Sequence, residues 1–169
     1  WDLSHLERPS APFGVNLIVH RSNPRLEEDL ALCERYRVPL VICSMGARED
    51  VNRRVQAYGG VTLHDVTTQA HARKAIEMGA NGLIAVAAGA GGHAGRLSPF
   101  ALVEEIRQWF DGPVVLAGAI GTGRAVAAAR VLGADFVFFV VALGVNFDIF
   151  DNLRRNVTTS NFFRCLQAG

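Results

Sequence analysis

Short apolar runs recur along the chain at intervals that hold one helix each. They are Gly14 to Val19, Pro39 to Cys43, Val61 to His64, Gly82 to Ala87, Pro113 to Ala117 and Phe136 to Ala142. Each is rich in β-branched residues and apolar at successive positions, the pattern of a strand buried on both faces. Between them, Arg25 to Tyr36, Glu49 to Tyr58, Thr68 to Met78, Leu102 to Phe110 and Gly123 to Leu132 place apolar residues at helical spacing with charged outer faces. Gly59-Gly60, Gly79, Gly112 and Gly133 follow these helical stretches, where a left-handed C-cap costs glycine least. Lys74 to Val86 and Ala127 to Phe139 share one grammar of helix, Leu or Met, Gly, Ala, polar residue and strand, a weak internal βα repeat. The reading is a βα alternation in a single domain spanning 1–169, with no linker or low-complexity segment dividing it.

Six parallel strands suit an open doubly wound sheet or an incomplete (β/α)8 barrel. A full barrel takes about 250 residues, so the 169 residues here favour the open sheet on length alone. Two observations point the other way. No GxGxxG turn follows the first strand, and polar or glycine-rich residues collect at successive strand ends: Asn16, Ser44, His64-Asp65, Gly89 to Gly95, and Gly118 to Gly121.

Half of the residues are apolar and 20% are charged, as in a globular domain, and the formal net charge of +1 supplies no field for nucleic acid or an anionic membrane. Small-molecule chemistry is the expectation. Sixteen of the 17 cations are Arg, which leaves Lys74 as the one candidate for Schiff-base chemistry. Cys33, Cys43 and Cys165 are odd in number and lack CxxC spacing, which argues against a disulfide scaffold or a zinc site. No apolar run is long enough to span a membrane, and Trp1 to His5 lacks the features of a signal peptide, so a cytoplasmic location is expected.

Three constellations could carry chemistry. Gly89, Gly91, Gly92 and Gly95 surround His93 in a loop after the fourth strand. Such a loop lets backbone approach a flat or phosphorylated ligand and leaves the imidazole free to act as a general base near neutral pH. The bland alternative is a mobile glycine loop with an incidental surface histidine. The second is the turn at Gly118, which opens a helix whose free N–H groups can hold a phosphate, against an ordinary βα turn. The third is Asn16, placed to cap its own loop or to hydrogen-bond a cofactor ring. His64 and Asp65 are adjacent on a strand and so point to opposite faces, which disfavours a direct pair. His64, Asp65 and His93 are the nearest approach to a metal cluster but lack ligand spacing, and no metal site is expected. His20 and His71 have no evident partners, and Arg53-Arg54 and Arg154-Arg155 read as solvated faces.

Four segments carry a family resemblance: APFGVNLIVH, LHDVTT, GANGLIAVAAGAGGHAGRLSPF and GPVVLAGAIGTGRAVAAARVLGADF. Over about residues 11–140 the chain resembles nitronate monooxygenase, formerly called 2-nitropropane dioxygenase, while residues 141–169 diverge. The resemblance implies an α/β fold of the TIM (β/α)8-barrel type, incomplete in this chain. It also implies non-covalently bound FMN and the oxidation of alkyl nitronates, or nitroalkanes, by O2 to a carbonyl compound and nitrite. Carried over by motif, His93 becomes the catalytic base or substrate-positioning imidazole, Asn16 a flavin contact, Gly91 a backbone contact in the histidine loop, and Gly118 part of the flavin-phosphate turn. The implied partners are a small-molecule substrate and O2, with a homo-oligomer compatible. The family pattern also has an earlier strand with flavin contacts, and a Gly-Thr pair where this chain has Val140-Val141-Ala142-Leu143. Two alternatives follow: a flavin-dependent enoyl reductase or related NAD(P)H oxidoreductase, and a non-catalytic barrel fragment acting as an assembly module.

Overall fold

A computed structural model describes residues 13–138 of the 169. The chain alternates strictly between strand and helix: β1 (Gly14–Ile18), α1 (Leu26–Arg35), β2 (Leu40–Ser44), α2 (Glu49–Ala57), β3 (Val61–Val66), α3 (Gln69–Glu77), β4 (Gly82–Val86), α4 (Pro99–Arg107), β5 (Val114–Ala117), α5 (Gly123–Val131) and β6 (Phe136–Phe138). The end of the sixth expected strand, the Val140 to Leu143 departure, the divergent tail, Arg154-Arg155 and Cys165 lie outside the described residues.

All six strands are parallel and lie side by side in chain order, with Gly14 opposite Leu40 in the first pair and Val115 opposite Phe136 in the last. A doubly wound sheet reverses its strand order and carries helices on both faces. Neither feature is present among the described residues. Leu17, Val41, Cys43, Leu83, Ala85, Val114 and Leu116 pack among helix residues such as Leu30, Val55, Leu102 and Ile106. The alternate strand positions Ile42, Leu63, Ile84, Val115 and Ala117 cluster only with other strand residues, Leu40, Val86, Phe136 and Phe138. One face meets helices and the other faces an interior, so the sheet is the wall of a partial TIM barrel.

The helix boundaries follow local chemistry. Thr68, Ser98 and Thr122 each accept the backbone N–H three residues on, at 3.2 Å, capping α3, α4 and α5. Ser98 with Pro99 behind it starts α4 three residues before the Leu102 expected from periodicity, because proline at the first helical position costs no hydrogen bond. Gly59, Gly79 and Gly133 take the left-handed conformation expected after α2, α3 and α5. Gly112 does not; a Cβ there would lie 2.4 Å from the Phe110 ring, so this glycine makes room for an aromatic side chain.

The helix-facing core is divided. One apolar cluster joins α1 and α2 to β1 and β2, and a second joins α3, α4 and α5 to the later strands. Between them runs a polar seam. Asn52 Nδ2 donates to the Met78 carbonyl at 2.8 Å, Gln56 Nε2 to the Gly79 carbonyl at 2.7 Å, and the Thr62 N–H to Asn81 Oδ1 at 2.8 Å. Asn52 and Thr62 are buried, and these bonds satisfy them.

Candidate functional site

The C-terminal ends of the strands open into a cleft of about 1150 Å3, somewhat larger than the usual small-molecule site. Its floor is apolar and comes from the inner face: Ile84, Val86, Ala117 and Phe138. Its walls are the loops after β2, β4 and β5, with His71 and Lys74 of α3 at one side.

The loop after β4 folds back on its own strand. The Ala88 N–H donates to the Leu97 carbonyl at 2.8 Å, and a Cβ at Gly95 would sit 2.3 Å from the Val86 carbonyl oxygen. Gly95 is therefore glycine because the backbone itself passes there. Gly91 differs, since its φ is not positive and nothing lies within 4 Å of where a Cβ would be. The fold gives no reason for glycine at 91, whereas a ligand lying against the backbone would. Gly121, in the loop after β5, has the same properties. Both glycines line the cleft, as does His93, whose side chain is exposed.

The loops after β4 and β5 are fastened together. The Ala119 N–H donates to the Gly89 carbonyl at 3.1 Å, and Ala119 holds a φ of 54°, uncommon for a residue with a Cβ. Gly118 has a φ of 139°, and a Cβ there would press on the Ala87 and Ala88 carbonyls. Met45, at the end of β2, has a φ of 62° and also lines the cleft. Such backbone gathers where surrounding structure holds a site in place.

Asn16 is not on the cleft surface but reaches it through one bond. The Ser44 hydroxyl lies 2.7 Å from Asn16 Oδ1 and 2.5 Å from Asp65 Oδ2, linking β1, β2 and β3 on the inner face. Burial pushes the Asp65 carboxyl above its ordinary range, and the Ser44 hydrogen bond opposes this. His64 points the other way, into the helix layer, with Nε2 2.8 Å from Asn52 Oδ1. Burial there pushes the imidazole below its ordinary value, and the Gly46 carbonyl opposes this. The two neighbours thus serve opposite faces, as strand geometry requires.

Of the four residues singled out beforehand, His93, Gly91 and Gly118 share the cleft, and Asn16 joins it through Ser44. The bond between Ser44 and Asp65 was not anticipated. Its signal was the strand period: Asp65 is in phase with Leu63 on the inner face, and Ser44 with Ile42. Two bland readings need correction. His71 Nδ1 lies 3.1 Å from the Thr67 hydroxyl and His20 Nδ1 2.7 Å from the Ser22 hydroxyl, so both have partners. Arg54 is no free surface charge; it donates to both Glu34 carboxylate oxygens, at 2.7 and 2.9 Å, and to Glu27 at 2.7 Å, because α1 and α2 pack side by side. Among the described residues no group of three His, Cys, Asp or Glu side chains could hold a metal ion, and no helix is long and apolar enough to cross a membrane.

The sequence profile of the nitronate monooxygenase family matches residues 14–147. The chain is 31% identical over 136 residues to (3aS,4S,5R,7aS)-5-hydroxy-7a-methyl-1-oxo-octahydro-1H-indene-4-carboxyl-CoA dehydrogenase of Rhodococcus jostii, covering 80% of this chain and 37% of that protein. Its structure is similar to that of FabK from Thermotoga maritima, with a TM-score of 0.68 and 33% identity over 76% of this chain and 40% of that one. Nitroalkane oxidase from Streptomyces ansochromogenes gives a TM-score of 0.69 at 27% identity over 75% of this chain and 49% of that one. The chain spans less than half the length of each of these proteins.

Proposed function

The chain belongs to the nitronate monooxygenase family, and from that premise we propose that it forms the flavin-facing wall of an FMN-dependent oxidoreductase that oxidises alkyl nitronates with O2 to a carbonyl compound and nitrite. One observation carries the proposal: the glycine loop bearing His93 and the Gly118 turn are bonded to each other, Ala119 N–H to the Gly89 carbonyl, at the mouth of one apolar cleft.

The residues present fit a flavin. Gly91 and Gly121 leave open space where side chains would stand, on a site whose apolar floor can take a flat ring. Asn16 supplies an amide on the inner face, and Gly118 brings the backbone of the turn close beneath the loop after β4. The N–H groups of the first turn of α5, beyond the one that Thr122 accepts, are placed for a phosphate. When bound, the flavin supplies the electron transfer. The chain supplies placement, exclusion of water by the apolar floor, and the His93 imidazole, which takes a proton from a neutral nitroalkane at the carbon bearing the nitro group.

The test is a visible absorbance spectrum of the purified protein before and after addition of FMN, followed by turnover. Wild type gains the flavin band. His93→Ala keeps that band and loses more turnover on neutral nitroalkanes than on preformed nitronates, which need no proton removed. Equal losses on both substrates, or no flavin band, would overturn the corresponding part of the proposal. A second reading, an NAD(P)H-dependent flavin oxidoreductase, draws on the similarity to the carboxyl-CoA dehydrogenase. Rapid anaerobic bleaching of the flavin by NADH or NADPH, with none by nitronate, would favour it.

A further inference from the structure

Ser44 Oγ stands between two side-chain oxygens, Asn16 Oδ1 at 2.7 Å and Asp65 Oδ2 at 2.5 Å. A hydroxyl carries one hydrogen, so it can donate to only one of them. Where the carboxyl oxygen that meets Ser44 is the one that gains and loses the proton, two arrangements satisfy both contacts. In the first, a protonated Asp65 donates to Ser44 Oγ and Ser44 donates to Asn16 Oδ1. In the second, Asp65 is ionised and accepts from Ser44, and the Asn16 amide is turned so that Nδ2 donates to Ser44 Oγ. The arrangements differ in what Asn16 has left for a ligand: its NH2 group in the first, its carbonyl in the second.

Surroundings decide between them. Among the described residues Ser44 is the only hydrogen-bond partner of the Asp65 side chain, and no cation lies within ion-pair distance. Asp65 is half-buried, and over an apolar floor with one hydrogen bond its ionised form is disfavoured relative to the neutral acid. The shift of Asp65 caused by burial agrees in direction. The other titratable groups around it are the buried Cys43 thiol on β2, His64 on the opposite face of β3, His71 and Lys74 of α3, and His93 in the loop after β4; the last four line the same cleft.

We propose that Asp65 carries a proton in the resting site and, through the Ser44 hydroxyl, holds the Asn16 amide with its NH2 group toward the cofactor, so that Asp65 and Ser44 are positioning residues for a flavin contact. This rests on the flavin reading above for what Asn16 touches, but the proton on Asp65 does not. Loss of that proton on raising the pH turns the amide and replaces a donor with an acceptor at the cofactor.

The experiment has two arms, both on the full chain. Isotope-edited infrared spectroscopy of the protein without added flavin should show a protonated carboxyl band that disappears in Asp65→Asn. FMN titration across the pH range over which that band is lost should show wild-type affinity falling by about tenfold as Asp65 ionises, the loss of one oriented hydrogen bond. Asp65→Asn, whose amide donates to Ser44 at every pH, should stay within about threefold of the low-pH wild type and show no such slope. Ser44→Ala should bind more weakly throughout, also without the slope. No carboxyl band, or an unchanged pH slope in Asp65→Asn, overturns the proposal. A carboxyl band in a protein that binds no FMN upholds the proton on Asp65 and overturns the flavin reading instead.

Discussion

His64 Nε2 donates to Asn52 Oδ1, and Asn52 Nδ2 donates onward to the Met78 carbonyl, so a buried imidazole fixes α2 against the end of α3. Its folded-state affinity for a proton is depressed by burial, while in the unfolded chain it takes a proton near its ordinary value of about 6.5. The stability it contributes is therefore full above about pH 6.5 and is lost as the pH falls toward the folded value. We expect the thermal midpoint to drop between about pH 7 and about pH 5, and His64→Gln to start lower and drop less, as read by circular dichroism melts. Asp65 works in the opposite sense. Its raised pKa gives a contribution that is full below the ordinary carboxylate value and lost as the pH rises through the folded one. The melting gap between Asp65→Asn and wild type should accordingly open in favour of the variant as the pH rises from about 4. Two glycines in one loop separate fold from site in the same way. Gly95→Ala forces a Cβ onto the Val86 carbonyl and should cost about 1–3 kcal/mol in urea denaturation. Gly91→Ala meets nothing, so it should melt like wild type but bind FMN more weakly.

At the scale of elements, every strand and helix described was legible in the run of apolar positions, because βα units are built from short-range patterns. What joins the elements was not. Arg107 donates to the Gly133, Phe110 and Gly112 carbonyls at 2.7, 3.1 and 2.7 Å and to Asp135 at 2.5 Å, while Asp135 also accepts the Val114 N–H. One guanidinium thus ties the end of α4 to the starts of β5 and β6, beneath the cleft. Arg107→Ala leaves those acceptors short of a donor and should cost about 2–3 kcal/mol in urea denaturation, with Arg107→Lys recovering only part of it. Arg54 holds α1 to α2 at the surface through Glu27 and Glu34, and its removal should cost less, about 0.5–1 kcal/mol. Gly133 and Asp135 for Arg107, and Glu27 and Glu34 for Arg54, lie 20 to 28 positions away in the chain, which no local pattern reveals. The same holds for Ser44 between Asn16 and Asp65: each was visible as a polar strand end, but their meeting depends on the register of three strands. His93 and its glycines were legible because one loop holds them all.

Across the whole molecule, two apolar clusters share a single sheet and meet along the polar seam of His64, Asn52, Gln56, Thr62 and Asn81. Both buried cysteines, Cys33 and Cys43, belong to the cluster on the β1 and β2 side. Burial raises their thiols to about 11 and about 12, so neither reacts while its cluster is closed. Thiol labelling of a Cys165→Ser variant should then report the opening of that cluster alone, and hydrogen exchange in β4 and β5 the opening of the other. If the seam joins the halves into one cooperative unit, the two opening free energies coincide; if Asn52→Ala separates them, labelling becomes the faster. The alternation of faces along β3 also bears on how this protein tolerates change. Thr62, His64 and Val66 answer to the helix layer, whereas Leu63 and Asp65 answer to the interior. A complete substitution scan of that strand should therefore split by parity, with variants at even positions failing in a screen for soluble expression and those at Asp65, Asp65→Asn excepted, passing it but failing in a screen for yellow colonies. The same few residues carry two independently evolvable traits, one written on each side of a single ribbon of backbone.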